Sequence, residues 1–284
     1  MYRNIGVIGA GTIGTGLAVD LVLHNINVVL VDAAVEALER SRAEILKVVR
    51  FAPLIKKSAP HLSVDEALER IHFVTDIAEV GACDFIVENA TENVTIKEGI
   101  YRRLDRICQP DVCFGVNTSC IAITQIASFT ARPERVIGMH FMNPVYLKAH
   151  VEVIRGYHTS EECIEIARGL LKLLEKEAIM VNDYPGFVSN RVSHLFMNEA
   201  AFVVQDQVAT PKAVDDIFKK CYGHTMGPLE TADLIGLDTV VNSLDVLYQS
   251  YQDPKFRCCP LLRKMVAAGL LGTKSGQGFY KYSK

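Results

Sequence analysis

The stretch Gly9-Ala10-Gly11-Thr12-Ile13-Gly14 decides the predicted fold of this 284-residue chain. It follows the apolar run 5–8 and precedes the helical pattern 15–22. A G-x-G-x-x-G in that context is typical of a dinucleotide-binding βαβ unit, in which the helix N-terminus holds the pyrophosphate. Asp32 ends the next apolar run, where a carboxylate accepts hydrogen bonds from ribose and repels a 2′-phosphate. We therefore predict an NAD site that includes Gly9, Gly11, Thr12, Ile13, Gly14 and Asp32; the alternative is a tight turn beside a surface aspartate.

Short apolar runs alternate with helical patterns through the first two-thirds of the chain. The predicted strands cover residues 5–8, 28–31, 72–74, 84–88, 113–117, 136–140, 151–154 and 179–181. This alternation predicts an α/β fold with a Rossmann-like, doubly wound and mostly parallel sheet. Residues 36–70 interrupt the alternation with two helical segments that meet near Ala52-Pro53, so we predict an inserted helical hairpin there.

Two helix starts carry the spacing of a capping box, in which a hydroxyl and a glutamate three residues later satisfy each other's backbone N–H groups. They are Ser63 with Glu66, and Thr159 with Glu162. Beyond residue 184 helical periodicity dominates, for example over 190–208 and 213–221, and a strand pattern returns only at 278–280. We place an NAD-binding domain at 1–183 and an all-α C-terminal domain at 184–284.

Composition and charge exclude several classes of protein. Thirty Lys and Arg against 33 Asp and Glu give a net charge of −3, so we expect no nucleic-acid partner. No apolar run reaches the roughly 20 residues that cross a bilayer, and no secretory signal pattern opens the chain. The eight cysteines lack C-x-x-C spacing. We therefore expect a cytoplasmic protein with reduced thiols, no membrane segment and no metal site.

Polar residues that packing does not explain follow or interrupt the predicted strands. Ser119 and His140 lie where strands end, and ligands bind outside the carboxyl ends of strands in a doubly wound sheet. His140 suits proton transfer near neutral pH, and Glu152 on the next strand would orient its ring. Asn190 opens the helical domain and, like Ser119, would orient a hydroxyl or carbonyl. The alternatives are a structural histidine, a solvated glutamate, a helix cap and a local hydrogen bond.

Taken together, these residues resemble the 3-hydroxyacyl-CoA dehydrogenase family over essentially the whole chain. The matching positions are 9–14, Glu88, Glu92, Lys97, 117–119, His140, 143–144, Glu152, 185–191, 226–228, 233, 236–238 and 276–280. The resemblance implies that His140 is the catalytic acid and base with Glu152 as its partner, and that Ser119 and Asn190 contact the reacting oxygen. It also implies that Asn143 places the thioester and that Glu92, Lys97 and Asn117 line the NAD site.

The same resemblance implies an activity and an assembly. The reaction is NAD-dependent oxidation of the C3 hydroxyl of a 3-hydroxyacyl thioester. The helical C-terminal domain of this family makes a homodimer, and its hairpin contacts the pantetheine carrier. Basic residues on the predicted hairpin, Arg50, Lys56 and Lys57, would meet an acidic carrier protein or CoA phosphates, or form a solvated face.

Some positions depart from the usual pattern of the degradative enzymes, namely Asn89, Cys120, Met142 and Tyr146. The variant pattern is similar to a branch that oxidises a glyceryl or seryl unit on an acyl carrier protein to make polyketide extender units. That substrate is our first hypothesis. The alternative is an (S)-3-hydroxyacyl-CoA or 3-hydroxybutyryl-CoA dehydrogenase of fatty-acid or butyrate metabolism. Other classes are a non-catalytic NAD-binding structural protein and a dehydrogenase of free hydroxy acids, which uses a lysine base.

Overall fold

The computed structural model describes residues 2–55 and 62–282, with the backbone alone described for 52–55. The chain divides into two compact units, Met1–Tyr184 and Pro185–Lys284. All eight cysteines lie in the described part of the chain as free thiols, and seven of them are buried. None of the helices in that part combines the length and apolar character that a bilayer crossing requires.

A single eight-stranded sheet forms the centre of the N-terminal unit. Its strands are β1 Asn4–Ile8, β2 Asn27–Val31, β3 Ile71–Val74, β4 Phe85–Glu88, β5 Cys113–Val116, β6 Val136–His140, β7 His150–Arg155 and β8 Glu177–Asn182. They follow the order β3-β2-β1-β4-β5-β6-β7-β8, with the first six parallel and β7 antiparallel to β6. β8 runs parallel to β7. The predicted doubly wound fold is confirmed, and its topological switch point lies between β1 and β4.

The helices of this unit are α1 Thr12–Leu23, α2 Val35–Ile55, α3 Val64–Glu69, α4 Val94–Ile107, α5 Ile123–Ala127 and α6 Glu161–Leu173. The predicted hairpin corresponds to α2 and α3, and residues 56–61 between them, which include Lys56 and Lys57, lie outside the described residues. The expected division near Ala52-Pro53 is wrong. α2 continues to Ile55, so the N–H that proline lacks is missing only from the last turn of the helix.

The central strands β1, β4, β5 and β6 are buried on both faces, since successive residues along each of them are buried. Ile5, Val7 and Val87 are 0% exposed, and they join α1 residues such as Leu17 and Leu21 in one core. Burial of each such side chain contributes about 1.5–3 kcal/mol. The parallel strands are therefore almost continuously apolar, which explains why their positions are readable in the sequence.

The C-terminal unit is helical, with α7 Ser189–Gln205, α8 Pro211–Lys220, α9 Pro228–Ile235, α10 Leu237–Tyr251 and α11 Pro260–Ala267. Its core includes Met197, Leu229, Leu244 and Leu262. The strand expected at 278–280 is absent from the described residues. The tail makes isolated bridges between Gly272 and Gln277 and between Gln277 and Lys281 instead.

Candidate active site

The glycine loop between β1 and α1 is shaped by close backbone approach. Gly9 has φ +93°, and an added Cβ would lie 2.7 Å from the Asn89 carbonyl oxygen. A Cβ on Gly14 would lie 1.8 Å from the Gly9 carbonyl oxygen. At Gly11, by contrast, a Cβ would meet nothing within 4 Å. The loop thus packs tightly against the residues that follow β4 and keeps its outer side open, as a pyrophosphate at the start of α1 requires.

Asp32 connects the glycine loop to the end of β2. Its Oδ2 accepts a hydrogen bond from the Ala10 N–H at 2.8 Å, and its Oδ1 accepts one from the Ala34 N–H at 2.9 Å. A carboxylate has about four acceptor positions, so both oxygens retain capacity for ribose hydroxyls. A groove of about 730 Å³ is lined by Gly9, Gly11 and Asp32 at the carboxyl ends of β1 and β2. These residues fit a dinucleotide.

His140 and Glu152 face each other across the antiparallel pair β6 and β7. His140 Nδ1 lies 2.9 Å from Glu152 Oε2, and the two residues are only 7% and 8% exposed. A buried carboxylate at this distance accepts the Nδ1 proton, so Nε2 is the nitrogen that can exchange a proton with a substrate. Because β6 runs parallel to β1, this pair lies at the same sheet edge as the glycine loop. The predicted meeting of the two side chains is present.

Ser119 lies in the turn that follows β5, at the same edge of the sheet. Its backbone N–H donates to Glu92 Oε1 at 3.0 Å, and the hydroxyl of Thr118 donates to the same oxygen at 2.6 Å. Glu92 itself is exposed and follows β4. The structure therefore brings Glu92 and Ser119 together, a contact that the sequence analysis did not anticipate.

Lys97 is buried, and its predicted place in the lining of the NAD site stays a prediction. The residue is 0% exposed, and Nζ donates to both Glu88 oxygens at 2.8 Å and to the Asn117 carbonyl at 3.3 Å. Burial raises the pKa of the Glu88 carboxyl, and the Lys97 ammonium opposes that shift. The lysine head is therefore paired in a place where the low dielectric requires a charged partner, and it joins the ends of β4 and β5.

The Asn117 side chain likewise forms a hydrogen bond within the protein. Its Oδ1 accepts the Phe141 N–H at 3.1 Å, which fixes the chain immediately after His140. Asn117 therefore links the ends of β5 and β6, beside the predicted reacting pair. Its predicted contact with the cofactor stays a prediction.

Asn143 lines a second cavity of about 660 Å³, together with Thr12, Arg40 and Tyr146. A buried lysine that the sequence analysis missed fixes this turn. Lys176 Nζ donates to the Val145 carbonyl at 2.7 Å.

The charge of Lys176 is balanced by Asp20, whose Oδ2 lies 2.9 Å from Nζ. Asp20 is the one charged residue of helix α1 and is 2% exposed. A buried carboxylate in a helix needs a partner of opposite charge. Asp20 is therefore the feature of the sequence that indicates a buried cation such as Lys176.

Asn190 belongs to the C-terminal unit, in the first turn of α7. Its carbonyl oxygen accepts a hydrogen bond from His194 Nδ1 at 2.9 Å. Its predicted contact with the reacting oxygen stays a prediction.

Both parts of the chain match models of known families. Residues 4–184 match "3-hydroxyacyl-CoA dehydrogenase, NAD binding domain", and residues 186–282 match "3-hydroxyacyl-CoA dehydrogenase, C-terminal domain". A probable 3-hydroxybutyryl-CoA dehydrogenase of Deinococcus radiodurans is 46% identical over 98% of this chain and 100% of the relative. A probable 3-hydroxybutyryl-CoA dehydrogenase of Bacillus subtilis is 43% identical over 99% of this chain and 98% of the relative.

A solved structure gives the same result. The (S)-3-hydroxybutyryl-CoA dehydrogenase of Ralstonia eutropha has a TM-score of 0.92 and 41% identity, with 100% of both chains covered. These names favour the second of our two substrate hypotheses, and none of the three supports the carrier-protein branch. The glycine loop, the groove and the family matches agree on NAD as the cofactor. The chain belongs to the 3-hydroxyacyl-CoA dehydrogenase family and is an NAD-dependent oxidoreductase.

Proposed function

We propose that this enzyme interconverts (S)-3-hydroxybutyryl-CoA and acetoacetyl-CoA. The observation that carries the proposal is the buried His140–Glu152 pair at the sheet edge that bears the glycine loop, with Nδ1 and Oε2 2.9 Å apart. The names of the relatives support a short acyl chain on CoA.

His140 acts as the base in the direction of oxidation. Nε2 accepts the proton of the C3 hydroxyl while C3 loses a hydride and becomes a carbonyl carbon. Bound NAD supplies the hydride acceptor. Glu152 stabilises the imidazolium, since a carboxylate within hydrogen-bond distance favours the charged ring. In the reverse direction His140 returns the proton to the C3 oxygen.

Three further residues position the reactants in this proposal. Ser119 and Asn190 donate hydrogen bonds to the C3 oxygen, which fixes it for proton transfer. Asn143 places the thioester arm, supported by its position in the wall of the second cavity. The start of α1 and Asp32 hold the pyrophosphate and a ribose, with Glu92, Asn117 and, indirectly through Glu88, Lys97 shaping the remaining cofactor site.

The C-terminal unit is proposed to form a homodimer. Several large apolar side chains on it are exposed, with Val208 at 76%, Tyr222 at 71% and Val192 at 61%. Large apolar side chains that are exposed in one chain would be covered in an interface between two copies. Light scattering during gel filtration tests the proposed homodimer, and a measured mass near the 31.4 kDa of one chain would refute it.

Carrier preference is the experiment that tests the substrate. NADH formation at 340 nm is followed with (S)-3-hydroxybutyryl-CoA, with its pantetheine analogue and with a glyceryl unit on acyl carrier protein. We expect the CoA thioester to have the largest kcat/KM. Turnover confined to the carrier-bound unit would refute the proposal and restore the extender-unit hypothesis. NADH binding without any turnover would indicate a non-catalytic role.

A further inference from the structure

Glu92 gathers the turn that carries Ser119 around a single oxygen atom. Its Oε1 accepts the N–H groups of Ser119 at 3.0 Å, Cys120 at 2.9 Å and Ile121 at 3.3 Å. The Thr118 hydroxyl donates to the same oxygen at 2.6 Å. Donors from four consecutive residues therefore converge on one carboxylate oxygen, which fixes the path of the backbone from 118 to 121.

The backbone around Glu92 is itself held in place. On one side, the Ala90 N–H donates to the buried Glu88 Oε1 at 2.6 Å. On the other side, Asn93 caps α4, because its Oδ1 accepts the Ile96 N–H at 3.1 Å. The carboxylate of Glu92 therefore extends from a fixed base, although the residue is exposed, and it differs in this respect from an ordinary surface charge.

We propose that Glu92 is a positioning residue that acts through Ser119. This inference rests on the proposed function, in which Ser119 contacts the reacting oxygen. The family resemblance implied a cofactor contact for Glu92, and the hydrogen bonds give it a separate task at the substrate. Placement of this kind matters for the rate, since a displacement of about 1 Å in an active site can cost roughly 10²-fold.

Two substitutions distinguish the effect of the charge of Glu92 from the effect of its side-chain length. Glu92→Gln keeps the length of the side chain but removes the charge that strengthens each hydrogen bond. Glu92→Asp keeps the charge near the groove but withdraws the oxygen by one methylene, out of reach of the four donors. A residue that merely carries charge beside the cofactor would tolerate the second change better than the first.

The experiment is a double-mutant cycle with Ser119→Ala. We measure kcat and KM for acetoacetyl-CoA and for NADH in each Glu92 variant, with and without Ser119→Ala. Both Glu92 variants should lower kcat about ten-fold when Ser119 is present and less than about two-fold when it is replaced, because coupled residues are not additive. The Kd for NADH reports separately on the cofactor contact proposed for Glu92, and it should change equally with and without Ser119→Ala, because that contact does not act through Ser119.

Glu98→Gln is the matched control, because Glu98 lies on α4 and pairs with Arg102 at the surface. It should leave kcat unchanged. Equal losses of kcat in both backgrounds, or a change confined to the KM for NADH, would overturn the inference, as would an unchanged kcat in Ser119→Ala. Failure of the proposed function would give a different result, since the wild-type enzyme itself would not turn over acetoacetyl-CoA. Circular dichroism melting checks that each variant is folded.

Discussion

Each of the two units buries carboxylates, and Glu152 and Asp233, one from each unit, have different partners. Glu152 in the N-terminal unit lies 2.9 Å from His140, a side chain that can gain or lose a proton. Asp233 in the C-terminal unit is 0% exposed and accepts the N–H groups of Phe279 and Tyr280, both at 3.0 Å. Asp233 Oδ2 also accepts the hydroxyl of Tyr282 at 3.0 Å. The role of each buried carboxylate depends more on the groups that donate hydrogen bonds to it than on the carboxylate itself. Donors from the tail anchor that segment of the chain, whereas an imidazole donor allows proton transfer.

Replacement of the titratable donor should have the largest effect. His140→Gln keeps a polar side chain beside Glu152 but removes the base, so kcat should fall by roughly 10²–10⁴. The Kd for NADH, measured by fluorescence, should barely change. His150→Gln, at an exposed histidine on β7, is the control. Equal activity of the two variants would remove His140 from the reaction.

Replacement of the carboxylate partner should have the next largest effect. In Glu152→Gln the ring of His140 loses the charge that stabilises its protonated form, and we expect kcat to fall on the order of 10²-fold. Steady-state rates with acetoacetyl-CoA and NADH measure it. If kcat remains within two-fold of the wild type, Glu152 is structural in the way that Asp233 is, and the contrast between the units is lost.

One added methyl group should disrupt the contact between Asp233 and the C-terminal residues Phe279 and Tyr280. A Cβ on Gly278 would lie 2.0 Å from Asp233 Oδ1, so Gly278→Ala should lower the free energy of unfolding by about 3 kcal/mol, at the upper end of the usual cost of overpacking. Urea denaturation measures the loss. Gly223→Ala is the control, because its Cβ would meet nothing within 4 Å and only its φ of +78° costs energy, on the order of 1 kcal/mol. Equal losses in the two variants would mean that Asp233 does not hold the tail.

The smallest effect is expected at the cofactor loop. Asp32→Ala removes the acceptor of the Ala10 N–H and the predicted acceptor of the ribose hydroxyls, so KM for NAD should rise about ten-fold. Discrimination against NADP should relax, since the charge that repels a 2′-phosphate is gone. Parallel rates with NAD and NADP measure both effects. An unchanged preference would contradict the assignment of Asp32 to the ribose.

Sequence patterns predicted the sheet well for a physical reason. Parallel strands covered on both faces are continuously apolar, so the runs at 5–8 and 136–140 stand out. Glu152 stood out for the opposite reason, as a charge inside such a run. The capping box of Ser63 and Glu66 is also confirmed, with both hydrogen bonds formed.

The cap predicted at Thr159 is wrong. Ser160 caps α6 by accepting the Cys163 N–H at 3.1 Å, while the buried Thr159 donates its hydroxyl to the Val136 carbonyl at 2.6 Å. Adjacent hydroxyl residues have the same local capping chemistry. A partner 23 residues away decided between them, and such a contact leaves no trace in the local pattern.

Lys97 shows the same limit within the candidate site. A lysine on a helix usually faces solvent, but this one is 0% exposed because Glu88, nine residues earlier on β4, is buried with it. The sequence contains both residues. Only the packing of α4 on the sheet reveals that the two charges are buried together.

A single-turnover experiment tests the central claim most directly, namely that the His140–Glu152 edge of the sheet carries out NAD-dependent chemistry on an acyl-CoA. Excess enzyme with bound NADH is mixed with acetoacetyl-CoA, and NADH absorbance is followed at 340 nm. We predict loss of NADH absorbance in one phase, at a rate on the order of 1–10³ s⁻¹ as for typical enzymes. NADH that stays bound and unoxidised in the presence of acetoacetyl-CoA would contradict the account.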